Sequence, residues 1–258
     1  MNQGNFYKEM AGIIGGIGPE ATSYFTSLLI KFRLPYAVKD QDHIPYLLFN
    51  NPQIPDRTEY ILQQSENNPL PEIVKTGITL KNAGATFLVM TCNTAHTFAQ
   101  AIESEVGLPL INMVDETAEY IHRKYGNNAT VGLLATTGTI HAKLYQDALY
   151  KKSSTIAVLT PENDEQTSVM NAIYDIKSNS VNERNTQELY DVASKLVSRG
   201  ASTIILGCTE IPLALRTKHP KFFRIDPMEI LAQKVIERTI LSAAEKQSLP
   251  LIVSATHR

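Results

Sequence analysis

Along the chain, short unbroken apolar runs alternate with longer stretches whose apolar residues return every three or four positions. The runs are Ala11–Ile14, Pro45–Phe49, Thr86–Met90, Leu108–Val114, Thr130–Leu134, Thr155–Leu159, Thr203–Leu206 and Phe222–Ile225. The helical stretches include Pro71–Asn82, Thr94–Glu105 and Asn185–Ser198. Strands that are apolar throughout, rather than at alternate positions, must be covered on both faces. That is the condition of a parallel sheet with helices above and below it. The pattern predicts an α/β fold with eight strands. The acidic and polar stretch Pro161–Thr167 reads as a loop.

The eight strands divide into two sets of four that resemble each other. GIIGGIG at Gly12–Gly18 lines up with GLLATTG at Gly132–Gly138, an offset of 120. AGATFLVMTCNT at Ala83–Thr94 lines up with RGASTIILGCTE at Arg199–Glu210, an offset of 116. LINMVDE at 110–116 stands beside FRIDPME at 223–229. In each copy a glycine (Gly84, Gly200) ends a helix, a strand follows, and a cysteine comes eight residues after the glycine. Three segments in one order at near-constant offset point to a duplicated β/α unit. The expected architecture is two similar domains, each a four-stranded parallel sheet flanked by helices, related by pseudo-twofold symmetry.

With 258 residues, 43% hydrophobic and 19% charged, the chain is long enough to bury real cores and too apolar for disorder. A net charge of −2 provides no basic field for nucleic acid or an anionic membrane. No run approaches the ~18 apolar residues of a membrane span. The opening MNQGNFYKEM lacks the apolar core of a signal peptide. A cytoplasmic location is expected, and with only two cysteines both are expected to be free thiols.

Those cysteines, Cys92 and Cys208, stand at equivalent strand ends. Ligands of open parallel sheets bind beyond the carboxyl ends of strands. If the two halves face each other there, the thiols meet across one cleft, one on each face of a trapped molecule. Racemisation needs that arrangement. One thiolate removes a proton from a stereocentre while the opposing thiol delivers one to the other face. A thiol of pKa about 8.5 must then act on a far weaker carbon acid, so the carbanion has to be stabilised in a site shielded from water. The polar residues and helical pattern after each cysteine predict a lowered thiol pKa, as at helix N-termini. A lone free cysteine is more often an inert buried apolar residue; a symmetry-related pair at strand ends argues against that.

Around this pair, Arg57 follows the second strand and can grip a carboxylate with two parallel hydrogen bonds. Lys177 offers a second cation. Gly16 and Ile17 belong to a glycine-rich turn that can present backbone N–H groups to an anion. Thr136, Thr137 and Thr139 occupy the equivalent turn of the second half and either contact substrate or cap a helix. Asn93, Thr94 and Thr209 directly follow the cysteines and can reach a substrate carboxylate. His96 and Glu210 are expected behind them, in hydrogen-bonding support. GIGPEA at Gly16–Ala21 also fits a dinucleotide fingerprint, but Asn50 and Asn51 stand where an acidic residue should end the second strand. No CxxC or HxxxH spacing supports a metal, and thiolates tied to zinc could not shuttle protons.

GGIGPEAT at Gly15–Thr22, NPQIPDRT at Asn51–Thr58, TCNTAH at Thr91–His96 and GCTEIPL at Gly207–Leu213 together resemble the aspartate/glutamate racemase family, above all its aspartate racemase branch. The resemblance spans roughly residues 10–240. Where glutamate racemases carry Asp-Ser-Gly near the first strand and a histidine after the second Cys-Thr, this chain has Gly15-Gly16-Ile17 and Glu210. The resemblance implies cofactor-independent racemisation of an acidic amino acid by a cysteine pair, without pyridoxal phosphate or metal. It further implies Arg57 and Lys177 as substrate-binding and thiol-activating residues. Cys208 would act on the L-enantiomer and Cys92 on the D-enantiomer. A homodimer is implied too, as is the return of the last helix to the first lobe. The domains are then 1–115 plus 225–258, carrying Cys92, and 116–224, carrying Cys208. Two alternatives remain: the same fold acting on glutamate or another small carboxylate, as in maleate isomerases or hydantoin racemases, and a two-lobed small-anion-binding protein without catalysis.

Overall fold

The computed structural model describes residues 9–179, 181–215 and 222–240. The first half runs β1 (Ala11–Gly15), α1 (Pro19–Arg33), β2 (Tyr46–Asn50), α2 (Arg57–Ile61), α3 (Leu70–Asn82), β3 (Phe87–Met90), α4 (Ala99–Val106) and α5 (Met113–Tyr125). The second runs β4 (Thr130–Ala135), α6 (Thr137–His141), α7 (Leu144–Lys152), β5 (Ala157–Leu159), α8 (Asn163–Asn179), α9 (Glu183–Ser198), β6 (Thr203–Gly207), α10 (Ile211–Leu215) and β7 (Arg224–Ile225). Helix α11 (Pro227–Thr239) follows.

The strands form two parallel sheets, ordered β2-β1-β3 and β5-β4-β6-β7. Their registers carry the sequence repeat at atomic scale. Gly12 lies opposite Leu88 and Gly132 opposite Ile204, the same offsets of 120 and 116 found in the sequence. Glycine stands at both places because a Cβ would be crowded, 2.8 Å from Ala85 Cβ at Gly12 and 2.5 Å from Ile204 Cδ1 at Gly132, with a helix close behind. A Cβ on Gly12 would meet Leu80 Cβ of α3 at 3.2 Å, and one on Gly132 would meet Leu196 Cβ of α9 at 3.1 Å.

Strands β1, β3, β4 and β6 are buried on both faces, as unbroken apolar strands require, whereas the edge strands β2 and β5 are not covered throughout, Leu48 and Phe49 being exposed. In the first sheet, Ile13, Phe87 and Val89 face one core while Ile14, Leu88 and Met90 face the other. In the second, Leu134, Ile204 and Leu206 oppose Val131, Leu133 and Ile205 in the same way. Each such side chain contributes about 1.5–3 kcal/mol on full burial.

Two expectations are corrected. The fourth strand of the first half, Leu108–Val114, is a single parallel bridge between Leu110 and Leu88, so that sheet has three strands among the described residues. The run is cut short because Asn112 caps α5, its side chain accepting from Val114 N and Asp115 N. The stretch Pro161–Thr167 is no loop throughout: α8 begins at Asn163. Its acidic residues Asp164 and Glu165 are those a helix N-terminus favours.

Helix α11 packs on the first sheet through Met228, Leu231, Ala232, Val235 and Ile236. The break expected after residue 115 falls within the first turn of α5. Met113 joins the first-sheet core, whereas Val114, Ala118 and Ile121 join the second. Residues 241–258, assigned to the first lobe from the sequence, lie outside the described residues.

Candidate active site

Both cysteines leave the carboxyl ends of strands, Cys92 after β3 and Cys208 after β6, as free thiols buried to the same degree, 6% exposed. A cleft of about 270 Å³ opens between residues of the two halves. It is lined by the turn from Gly16 to Ala21, by Ile54, Asp56 and Arg57 of the first half, and by Ile176, Lys177, Glu210 and Leu213 of the second. Neither cysteine is in this lining; Glu210, which is, accepts from Cys208, and Arg57, which is, stands beside Cys92.

Asp56 fixes the start of α2, its carboxylate accepting from Thr58 N and Glu59 N at 2.7 and 3.0 Å. This aims buried Arg57 inward, where Nη1 donates to Ile54 O and Pro55 O at 3.3 and 2.9 Å. Burial alone would lower the guanidinium's pKa. The Cys92 sulfur, then Asp56 and Glu210, outweigh it and hold the pKa raised, and Cys92 also lies within hydrogen-bonding reach of the arginine. Arg57 Nε and Asn93 Nδ2 are buried donors with no acceptor among the described residues.

Lys177 sits near the end of α8 and stays exposed, with Nζ 5.5 Å from the Tyr174 ring. Partial desolvation lowers its pKa, and Glu210 and Cys208 more than compensate, leaving it raised. Glu210 is 4% exposed. Its Oε2 accepts from Cys208 Sγ at 3.0 Å and from Thr209 Oγ1 at 3.3 Å. Its Oε1 lies against Gly18 of the first half, 3.0 Å from where a Cβ would stand. Burial, reinforced by the Glu210 carboxylate, pushes the Cys208 thiol well above its ordinary range, against a smaller opposing pull from Lys177. The lowered pKa expected for this thiol from its place before a helix is therefore corrected: α10 is five residues long, and a carboxylate touches the sulfur.

Gly16 holds the first turn at φ +86°, with its Cα packed against the Asn51 backbone, so that a Cβ would lie 2.5 Å from Asn51 N. Its N–H donates to Thr22 Oγ1 at 2.9 Å and is not free to face an anion. Ile17 is buried in the cleft wall. Thr94, Thr136 and Thr139 form a closed triangle of hydroxyls, 2.9–3.1 Å apart, that joins the two halves. Thr136 also caps α6 by accepting from Thr139 N at 3.2 Å. Thr137 faces α8, accepting from Gln166 Nε2 and donating its N–H to Met170 Sδ.

His96 is a buried latch. Met113 N donates to Nε2 at 3.2 Å, so that nitrogen is the acceptor and Nδ1–H donates to Cys92 O at 2.8 Å. Burial lowers its pKa, in keeping with this neutral form. One residue is not legible from sequence: Tyr145 of α7, fully buried, whose hydroxyl donates to Asn93 Oδ1 across the two halves. Only its apolar helical spacing was visible, which marks core and not this contact. Among the described residues no group of three or more His, Cys, Asp or Glu side chains is placed to hold a metal ion, and no helix is long and apolar enough to cross a membrane.

The comparison with known proteins completes the picture, with a match to the family described as Asp/Glu/Hydantoin racemase across residues 14–235. The chain belongs to that family. An aspartate racemase from Picrophilus torridus superposes with a TM-score of 0.78 at 29% identity, covering 93% of this chain and 98% of that one. An aspartate racemase homologue from Pyrococcus horikoshii gives 0.70 at 26% identity, covering 89% and 98%. The broad specificity amino-acid racemase RacX of Bacillus subtilis is 26% identical over 229 residues, 88% of this chain and 96% of its own. The racemase family and the two-sheet α/β fold read from the sequence both stand.

Proposed function

We propose that the protein interconverts L- and D-aspartate by two-base proton transfer between Cys92 and Cys208, with no pyridoxal phosphate or metal. The carrying observation is that each cysteine has its own charged neighbour, Arg57 beside Cys92 and Glu210 on Cys208, next to two buried donors that lack an acceptor among the described residues. Arg57 Nε and Asn93 Nδ2 would donate to one substrate carboxylate, and Lys177 at the cleft mouth would meet the other. The α-carbon then lies between the sulfurs. One thiolate takes its proton as the opposite thiol gives up its own, and the cations hold the charge that develops on the carboxylate. We assign substrate contacts as well to the backbone N–H groups of Thr94 and Thr209 and to Ile17 of the cleft wall. Lobes of 1–115 with 225–258 and of 116–224, a homodimer and a cytoplasmic location complete the reading.

A second reading, racemisation of a wider range of amino acids, is favoured by the charge of the cleft. Glu20, Asp56 and Glu210 line it against only Arg57 and Lys177.

The test is incubation with L-aspartate in deuterated water, followed by chiral chromatography and mass spectrometry. D-Aspartate carrying α-deuterium is the expected product. Equal or faster turnover of glutamate or of neutral or basic amino acids selects the wider specificity. No exchange with any amino acid leaves the isomerase and anion-binding alternatives.

A further inference from the structure

The two sulfurs are matched in strand position and in exposure, but their polar neighbours carry opposite charge. Arg57 stands beside Cys92. Glu210 stands 3.0 Å from Cys208, with the thiol as the donor. We propose that Glu210 assigns the thiols their roles in the resting enzyme, keeping the proton on Cys208 so that the negative charge of the pair resides on Cys92 beside Arg57. The inference deepens the racemase reading and rests on it for its catalytic meaning. Cys208 begins as the acid and Cys92 as the base, so the free enzyme is set for the enantiomer whose α-proton faces Cys92.

The contacts of Glu210 support this. Glu210 is held in place by Thr209 Oγ1 and by the wall at Gly18, so its carboxylate cannot turn from the sulfur without displacing that contact. A carboxylate this close repels a thiolate and accepts from a thiol. Lys177 of α8 pulls the other way, but it is exposed and its attraction is screened. The remaining titratable neighbours, Tyr145 of α7 and Tyr174 of α8, are phenols whose own ionisation burial resists. The proton moves without net loss: a turnover that starts with Cys92 as base ends with the proton on Cys92 and the charge on Cys208. Solvent exchange then returns the proton to Cys208 before the next round.

The experiment is alkylation by iodoacetamide without substrate, followed at each cysteine by mass spectrometry across pH. In the wild type, Cys92 should react at least about tenfold faster than Cys208 at neutral pH, and its rate should rise at lower pH. Glu210→Gln should raise the Cys208 rate about tenfold at neutral pH and change Cys92 less than about twofold. Equal wild-type profiles, or a Cys208 profile that Glu210→Gln leaves in place, would overturn the inference. The wild-type profiles carry the test by themselves if the variant does not fold. Because no turnover is read, loss of the racemase reading would appear separately, as absent exchange with unchanged alkylation.

Discussion

Cys92 follows β3 and Cys208 follows β6 in matching registers, yet an arginine meets the first sulfur and a glutamate the second. Duplication accounts for what is alike: strand order, helix approach at Gly12 and Gly132, and burial of the thiols. The unlike residues enter where one half crosses to the other. Arg57 comes from the first half and lines one cleft with Glu210, which comes from the second and lies against Gly18. A symmetric scaffold thus holds an asymmetric set of charges, suited to a reaction in which one group must be acid while its twin is base.

The sharpest way to break this comparison is to remove either sulfur. Cys92→Ala and Cys208→Ala should each reduce racemisation by about a hundredfold to ten-thousandfold, the range of a general acid or base. α-Proton exchange should survive on only one enantiomer in each, read by deuterium incorporation into L- and D-aspartate. Surviving racemisation in either variant would exclude the two-base reading.

Arg57→Ala should cost about ten- to a hundredfold in kcat/KM, the weight of hydrogen bonds to a charged group. Arg57→Lys should restore little, since a point charge cannot replace the planar fork. Steady-state rates in both directions check this.

Equivalent backbone sites should answer alike. Gly12→Ala and Gly132→Ala each crowd a helix against a sheet and should destabilise the fold by about 1–3 kcal/mol. Urea unfolding of the pair measures whether the duplication extends to energetics.

The smallest effects concern pH, and two buried groups act with opposite sign. His96 is held neutral with a lowered pKa, so its contribution is complete above its unfolded value of about 6.5 and falls as pH drops below it. Asp226 caps α11 and accepts from Tyr24 Oη at 2.9 Å; burial, with Glu229, raises it to about 7. Its folded form prefers the proton, so stability is lost as pH rises from about 4 toward 7. Asp226→Asn keeps the cap and should remove that loss, seen as a flatter dependence of melting temperature on pH.

The fold was legible because parallel strands write themselves as unbroken apolar runs, and because the repeat set Cys92 and Cys208 at one offset. The fourth strand of the first half was misread because Leu110–Val114 is apolar enough for a strand, while the cap at Asn112 decides for helix. The Cys208–Glu210 contact was not legible either. Residues two apart meet only when the chain turns, and this turn is held by a wall from the other half. The hydroxyl triangle of Thr94, Thr136 and Thr139 was visible as three threonines but not as one joint, since the partners lie 42 and 45 positions apart.

The seating of α11 on the first sheet bears on the order of events at the ribosome. Ile13, Phe25, Phe87 and Val89 are made long before the helix that packs on them, Pro227–Thr239. The nascent first lobe therefore waits with a greasy face uncovered until that helix has emerged. A ribosome stalled before codon 227 would display that face to chaperones, and emergence of Pro227–Thr239 would withdraw it.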